Sequence, residues 1–168
     1  MANTTLFEDL KSKKLISVKD YRLRLMQDID LSMYGSKAWA YTLQTIGLKK
    51  GSDFLYDKGY TMGKVSAELI EEKKEDIPQE FQGTENYIMM CGFGDVTILS
   101  LNNEKRVDVK KNQTITFAKE LYGKESLVFE FYRGIYNAFI DVFEGKTILT
   151  ESSCICKGNI KCSFKGDQ

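Results

Sequence analysis

Three of the chain's four cysteines lie in one short stretch, which reads Glu151-Ser-Ser-Cys154-Ile-Cys156-Lys-Gly-Asn-Ile-Lys-Cys162. Just before it, residues 147–151 have the β-favouring sequence Thr-Ile-Leu-Thr-Glu. Gly158-Asn159 is typical of a tight turn, and residues 162–164 would form the returning strand. The stretch therefore predicts a β-hairpin that closes the fold.

The predicted hairpin is also a candidate metal site. Its two arms bring Glu151, Cys154 and Cys162 to one place, and zinc accepts sulfur and oxygen ligands in a tetrahedron. Two other interpretations stand beside this one. Cysteines in an intracellular chain are often small buried hydrophobic residues, and a disulfide could join the two arms. The cysteine spacing matches none of the two-plus-two patterns of zinc fingers.

The second half of the sequence resembles the C-terminal signature of the 4-vinyl reductase domain family. The resemblance rests on Gly134 within a predicted helix, Gly145 after it, then Glu151, Cys154, and Cys162 eight residues further on. Residues 59–63, Gly-Tyr-Thr-Met-Gly, also resemble the family's Gly-x-x-x-Gly helix. The family is named for an enzyme of bacteriochlorophyll synthesis. It includes sensor domains of aromatic-responsive bacterial activators and stand-alone archaeal proteins of the hydrocarbon-binding kind.

This resemblance implies a structural zinc ion with Glu151, Cys154 and Cys162 as ligands. The family's fourth ligand is a cysteine, and its position falls on Phe129 in this chain. A phenyl ring cannot bind zinc, so Cys156 or Cys91 would have to complete the shell. Zinc is the one cofactor that the resemblance implies.

Composition excludes several other classes of function. The 168 residues include 24 basic and 24 acidic side chains and no histidine, so no overall field attracts nucleic acid. Without histidine, Ser-His-Asp and Cys-His catalysis are excluded. No apolar run approaches the length of about 20 residues that a membrane span needs. The N-terminal sequence lacks the features of a signal peptide, which predicts a cytoplasmic protein with reduced thiols.

The periodicity of apolar residues predicts both helices and strands. The predicted helices are residues 4–13, 32–46, 52–72 and 126–143. The predicted strands are residues 21–26, 86–90, 96–101, 105–109 and 114–117, followed by the cysteine hairpin, and the last four of these five would form an antiparallel meander. Gly59 and Gly63 lie one turn apart in the second helix, where a glycine needs a packing reason.

This order of elements predicts an α+β fold with an antiparallel twisted sheet. The family resemblance covers about residues 20–165. It implies helices packed on one side of the sheet, the fold that 4-vinyl reductase domains share with a subunit of the TRAPP tethering complex and with haem-NO-binding domains. We expect a single domain over residues 1–168. It would have a helical N-terminal part in residues 1–80, and the sheet, a helix and the cysteine hairpin in residues 84–166.

The main functional hypothesis is a domain that binds or senses an apolar small molecule in a pocket between helices and sheet. The family's phenol sensors hold the phenol hydroxyl with a histidine, which this chain lacks, so a hydrocarbon or lipid-like chain is expected instead. The aromatic residues proposed as pocket walls are Trp39, Tyr41, Phe54, Tyr60, Phe93, Phe131 and Tyr136.

Two alternatives follow from the same family. A 4-vinyl reductase-type enzyme of tetrapyrrole metabolism would need a redox cofactor, and no dinucleotide, flavin or iron–sulfur motif is evident in the sequence. A dimeric scaffold without a ligand would resemble the tethering-complex relative. Homodimers form through the N-terminal half in the sensor-type domains, so a homodimer is expected for this chain.

Overall fold

A computed structural model describes residues 12–13, 16–19, 22–25, 29–31, 35–101 and 104–167 of the chain. These residues form an α+β fold with two antiparallel sheets. The strands are β1 Ile16–Lys19, β2 Arg22–Leu25, β3 Ile29–Leu31, β4 Asp95–Leu101, β5 Glu104–Lys111, β6 Thr150–Ser153 and β7 Cys162–Asp167. The helices are α1 Ser36–Lys50, α2 Ser52–Glu72, α3 Thr84–Met90, α4 Gln113–Tyr122 and α5 Val128–Phe143.

The larger sheet has the strand order β4-β5-β7-β6, so the two strands of the cysteine hairpin complete it. Strand β7 pairs with β5 and sets Phe164 opposite Val107. Helix α5 covers this face of the sheet, where Phe129 stacks on Phe164 with ring centroids 5.8 Å apart. Strands β1, β2 and β3 form a separate three-stranded sheet. None of the helices in the described part of the chain is long and apolar enough to span a membrane.

Several predicted elements agree with the structure. Helix α2 has the predicted bounds, α5 begins two residues after the predicted start, and α1 is shifted toward the C-terminus by four residues at each end. Strands β2, β4 and β5 lie where strands were predicted. The predicted first helix, residues 4–13, lies outside the described residues except for its last two.

Two predicted strands are wrong, because residues 86–90 belong to helix α3 and residues 114–117 to helix α4. Thr84, Tyr87 and Ile88 are buried at helical spacing. At the start of α4, the Asn112 side chain accepts a hydrogen bond from Ile115 N at 3.0 Å, so it caps a helix where the sequence suggested a turn. The predicted meander is therefore reduced to the β4–β5 hairpin.

Helices α2 and α5 approach so closely that only glycine fits at their contact. A Cβ atom on Gly59 would lie 1.9 Å from Phe131 O, and one on Gly134 would lie 2.2 Å from Tyr56 O. A Cβ atom on Gly63 would lie 2.7 Å from Ile135 O. This close approach is the packing reason expected for the glycine pair in the second predicted helix. It explains why α2 tolerates two residues that each cost about 1 kcal/mol in a helix interior.

Replacing Gly59 by alanine should lower the free energy of unfolding by at least about 2 kcal/mol, because main-chain atoms cannot move aside as a side chain can. Urea denaturation of Gly59→Ala measures this loss. Gly35→Ala is the control, since a Cβ atom there meets nothing within 4 Å. The control should stay within about 1 kcal/mol of the parent. Equal stability of the two variants would contradict the proposed contact.

Candidate functional site

Polar side chains of α5 hold the segment that leads into the cysteine hairpin. Asn137 accepts a hydrogen bond from Leu149 N at 2.7 Å and donates one to Thr147 O at 2.8 Å. Arg133 Nη1 donates to Leu149 O at 2.7 Å. Asp141 Oδ1 accepts from Thr147 N at 2.9 Å. These bonds fix both the path and the register of the chain before β6, so they position the cysteines that follow.

Three cysteine side chains meet within the hairpin. Cys154 Sγ lies 3.6 Å from Cys162 Sγ, and all three of Cys154, Cys156 and Cys162 are buried. A short 3-10 turn, Ile155–Lys157, points main-chain N–H groups at the sulfur atoms. Cys156 N donates to Cys154 Sγ and Ile155 N donates to Cys162 Sγ, both at 3.4 Å.

The thiols affect one another's ionisation. Hydrogen bonds from the thiols of Cys156 and Cys162 outweigh burial and lower the pKa of Cys154 well below its ordinary value. The same hydrogen bonds, followed by burial, raise the pKa of Cys156 and of Cys162. Cys154 is therefore the thiol of this cluster that loses its proton first.

The hairpin meets the expected zinc ligand set only in part. Two thiolates on one tetrahedral zinc, with bonds of about 2.3 Å, have sulfur atoms about 3.8 Å apart, close to the separation of Cys154 and Cys162. Glu151 instead accepts a hydrogen bond from Lys157 Nζ at 2.6 Å. That ammonium group also lies 5.7 Å from the centre of the Phe129 ring. In the described part of the chain, no three His, Cys, Asp or Glu side chains are arranged to hold a metal ion.

Cys91 lies apart from this cluster in sequence and follows the last residue of α3. It is half-buried and packs against the main core. Burial raises the pKa of the Cys91 thiol to about 12. The hairpin accordingly supplies two cysteine sulfur atoms at a spacing that zinc accepts but not a four-ligand shell, and zinc stays a prediction.

A cleft of about 510 Å³ opens beside the thiol cluster. Strands β4 and β5, helix α4 and the cysteine hairpin form its walls. The apolar lining residues are Val109, Ile115, Ile155, Ile160 and Cys162, and the polar ones are Thr97, Asp108, Lys110, Asn112, Thr116, Lys119 and Lys161. Ile160 is fully exposed at the mouth. The volume lies within the range of small-molecule sites.

Two polar side chains of the cleft, Asp108 and Thr97, differ in the number of hydrogen bonds that they form. Burial disfavours the charged form of Asp108, yet hydrogen bonds from Lys161, Ser163 and Arg106 lower the pKa of this carboxyl to about 2. On the neighbouring strand, Thr97 is paired with Asp108. The Thr97 hydroxyl is buried and has no hydrogen-bond partner. Among the described residues, every other buried side-chain oxygen or nitrogen has one. A buried hydroxyl without a partner is costly, so Thr97 marks a place where a ligand or water could bind.

None of the seven aromatic residues proposed as pocket walls lines this cleft. Phe93, Phe131 and Tyr136 are buried, and the Tyr136 hydroxyl donates to Phe93 O at 2.9 Å. Trp39 packs edge-on against Phe131 with centroids 5.7 Å apart.

The other three aromatic residues are less buried. Tyr41 is 65% exposed, whereas Phe54 and Tyr60 are half-buried. The Lys58 ammonium lies over the Phe54 ring, and the Tyr60 hydroxyl donates to Asp141. An interior pocket walled by the seven residues stays a prediction.

The sequence does not predict the cleft, because residues 114–117 have the composition of a strand and yet belong to helix α4. Alternation along a strand would put the neighbours Ile115 and Thr116 on opposite faces, whereas both of them line the cleft. The capping signal at Asn112, with Thr114, Ile115 and Ala118 buried at helical spacing, identifies the helix once the structure is known.

Helix α2 also has exposed apolar side chains. Met62, Val65 and Leu69 are 41%, 53% and 37% exposed, and their spacing puts them on one face. This stripe is compatible with the pairing of two copies. Pairing stays a prediction, which the mass of the protein in solution would test.

Comparison with known proteins supports the fold. No protein-family model and no curated protein matches the chain, so membership of the 4-vinyl reductase family stays unsupported. Among solved structures, the chain is similar to the phenol-responsive sensory domain of the transcription activator PoxR, whose crystal structure was determined with phenol. The match has a TM-score of 0.69 and 13% identity, and it covers 98% of this chain and 90% of that domain. The fold of this chain is therefore similar to the fold of that sensory domain.

The low pKa of Asp108 leads to a prediction about stability. A carboxyl whose pKa is lower in the folded protein than the usual 3.9 stabilises the fold above pH 4, and this contribution disappears as the pH falls through about 2. Asp108→Asn should therefore cost about 2 kcal/mol at pH 7, and the cost should shrink between pH 4 and pH 2. Urea denaturation across this range measures it.

Asp95→Asn is the control for this prediction, because Asp95 forms an exposed ion pair with Lys110 at 3.8 Å. That variant should lose less than about 0.5 kcal/mol. A cost of Asp108→Asn that does not change with pH would show that the carboxylate charge is not what stabilises the fold.

Proposed function

We propose that this chain is a small-molecule binding domain whose ligand occupies the cleft between β5, α4 and the cysteine hairpin. The observation that carries the proposal is the cleft itself, with apolar walls and one buried hydroxyl without a partner. The fold shared with a sensory domain crystallised with phenol supports it. The body of the ligand is apolar and aliphatic, since Val109, Ile115 and Ile155 are the apolar walls.

Ile160 allows a test that leaves the fold intact. Its side chain is fully exposed in the free protein, so Ile160→Ser should leave the free energy of unfolding nearly unchanged. If a ligand covers this side chain, the variant should bind decanol and decanoate about threefold to tenfold more weakly than the parent. Isothermal titration calorimetry measures both affinities.

Ile148→Ser is the matched control, because Ile148 is 74% exposed and does not line the cleft. It should bind both compounds as the parent does. Equal weakening by the two substitutions would place the ligand outside the cleft. Failure of the parent to bind either compound at millimolar concentration would argue against the proposed function as a whole.

We also propose zinc as a structural ion of the hairpin, held by Cys154 and Cys162. The sulfur separation of 3.6 Å supports this. A zinc ion there would lock the two arms of the hairpin together. Glu151 could join the shell only after leaving Lys157, and Cys156 is the nearest further thiol in sequence.

The metal content of untagged protein purified without chelator tests this proposal. About one zinc per chain, lost in Cys154→Ser, is the expected result. Cys91→Ser is the control and should keep the metal, because Cys91 lies outside the hairpin. Fully reduced protein that contains no zinc, yet unfolds at the same temperature with and without added zinc, would refute the structural ion.

A further inference from the structure

We infer that the ligand of the cleft carries an anionic head group, held by Lys119 and by the Thr97 hydroxyl. The inference rests on the proposed function and adds the chemical class of the ligand. An aliphatic chain with a carboxylate at one end is the simplest molecule of this class. Its apolar body would follow the isoleucine and valine walls, and its charge would meet the lysines of the cleft.

The charges around the cleft are the first reason to expect an anionic ligand. Three lysines and one aspartate line it, namely Lys110, Lys119, Lys161 and Asp108. The direct ion-pair partners of these residues add Arg106 and Asp95. Four basic groups therefore face two carboxylates, and an excess of positive charge remains in a partly enclosed space. Such an excess attracts an anion more strongly than it would on an open surface.

Lys119 is the lysine of the cleft that is most available to bind the anion, because the other two lysines already pair with carboxylates. Lys161 forms a close ion pair with Asp108, and Lys110 lies 3.8 Å from Asp95. In the described part of the chain, no carboxylate lies within ion-pair distance of Lys119. Its ammonium group can therefore bind a ligand without first giving up a partner.

The Thr97 hydroxyl supplies the second contact. Because its oxygen is buried and has no partner, an accepting carboxylate oxygen would satisfy a donor that is now unmet. Asp108 does not compete for this donor, since its oxygens already accept from Arg106, Lys161 and Ser163. A neutral hydrocarbon would leave both Thr97 and the surplus positive charge without a partner.

Titration with three ten-carbon probes tests the inference. Decanoate should bind at least about fivefold more tightly than decanol, and the decylammonium ion should bind more weakly than either. Lys119→Gln should remove the preference, so that this variant binds decanoate no more tightly than it binds decanol. Lys124→Gln, an exposed lysine just beyond α4 that does not line the cleft, is the matched control and should keep the preference.

The outcomes separate this inference from the proposed function. If decanol binds as tightly as decanoate and Ile160→Ser weakens both, the cleft is a binding site but the anionic head group is refuted. If decanoate is preferred and Lys119→Gln keeps the preference while Lys124→Gln does not, the assignment of Lys119 is wrong. If no probe binds to the parent, the proposed function fails together with the inference.

Discussion

The contact between helices α2 and α5 is the constraint on which the rest of the fold depends. Main-chain atoms of Phe131 and Tyr56 fill the space that side chains at Gly59 and Gly134 would need. With this face of α5 in contact with another helix, its remaining surface has to be covered by the sheet, where Phe129 and Phe164 stack. A helix that is apolar nearly all round can be stable only when it is covered in this way. The glycines thereby determine where the sheet lies.

Buried hydrogen bonds then decide where the cysteine hairpin lies. Apolar burial alone would allow the chain before β6 to slide along α5, since one apolar contact resembles another. The amide of Asn137 does not allow this, because Thr147 O and Leu149 N must meet it with the right geometry. If Thr147 O and Leu149 N stayed buried without hydrogen bonds, the loss of folding free energy would exceed what the two bonds contribute on balance. Register is therefore set by a buried polar side chain of a helix that is mainly apolar.

Sequence patterns predicted the long elements with a clear apolar periodicity. They failed for two short segments that were predicted as strands and form helices. Helix α2 was predicted to the residue because its apolar stripe is long and its ends are marked. The residues of α4 contain Thr-Ile-Thr-Phe, which has strand propensity, yet they form a helix that the Asn112 side chain caps and that buries Thr114, Ile115 and Ala118 on one face. At the site, the predicted hairpin brings Cys154 and Cys162 together, as the structure has them. The hairpin pattern does not predict the ion pair between Glu151 and Lys157. Ion pairs between exposed side chains leave no periodic signal in a sequence.

The cysteine hairpin contributes to both candidate sites, which links them physically. Cys162 belongs to the thiol cluster and lines the cleft, and Ile155 and Ile160 of the same hairpin complete the cleft wall. Anything that changes the arrangement of the sulfur atoms, such as a metal ion or oxidation, therefore changes the shape of the wall. By the reciprocity of linked equilibria, a ligand that prefers one wall arrangement also favours the sulfur arrangement that goes with it.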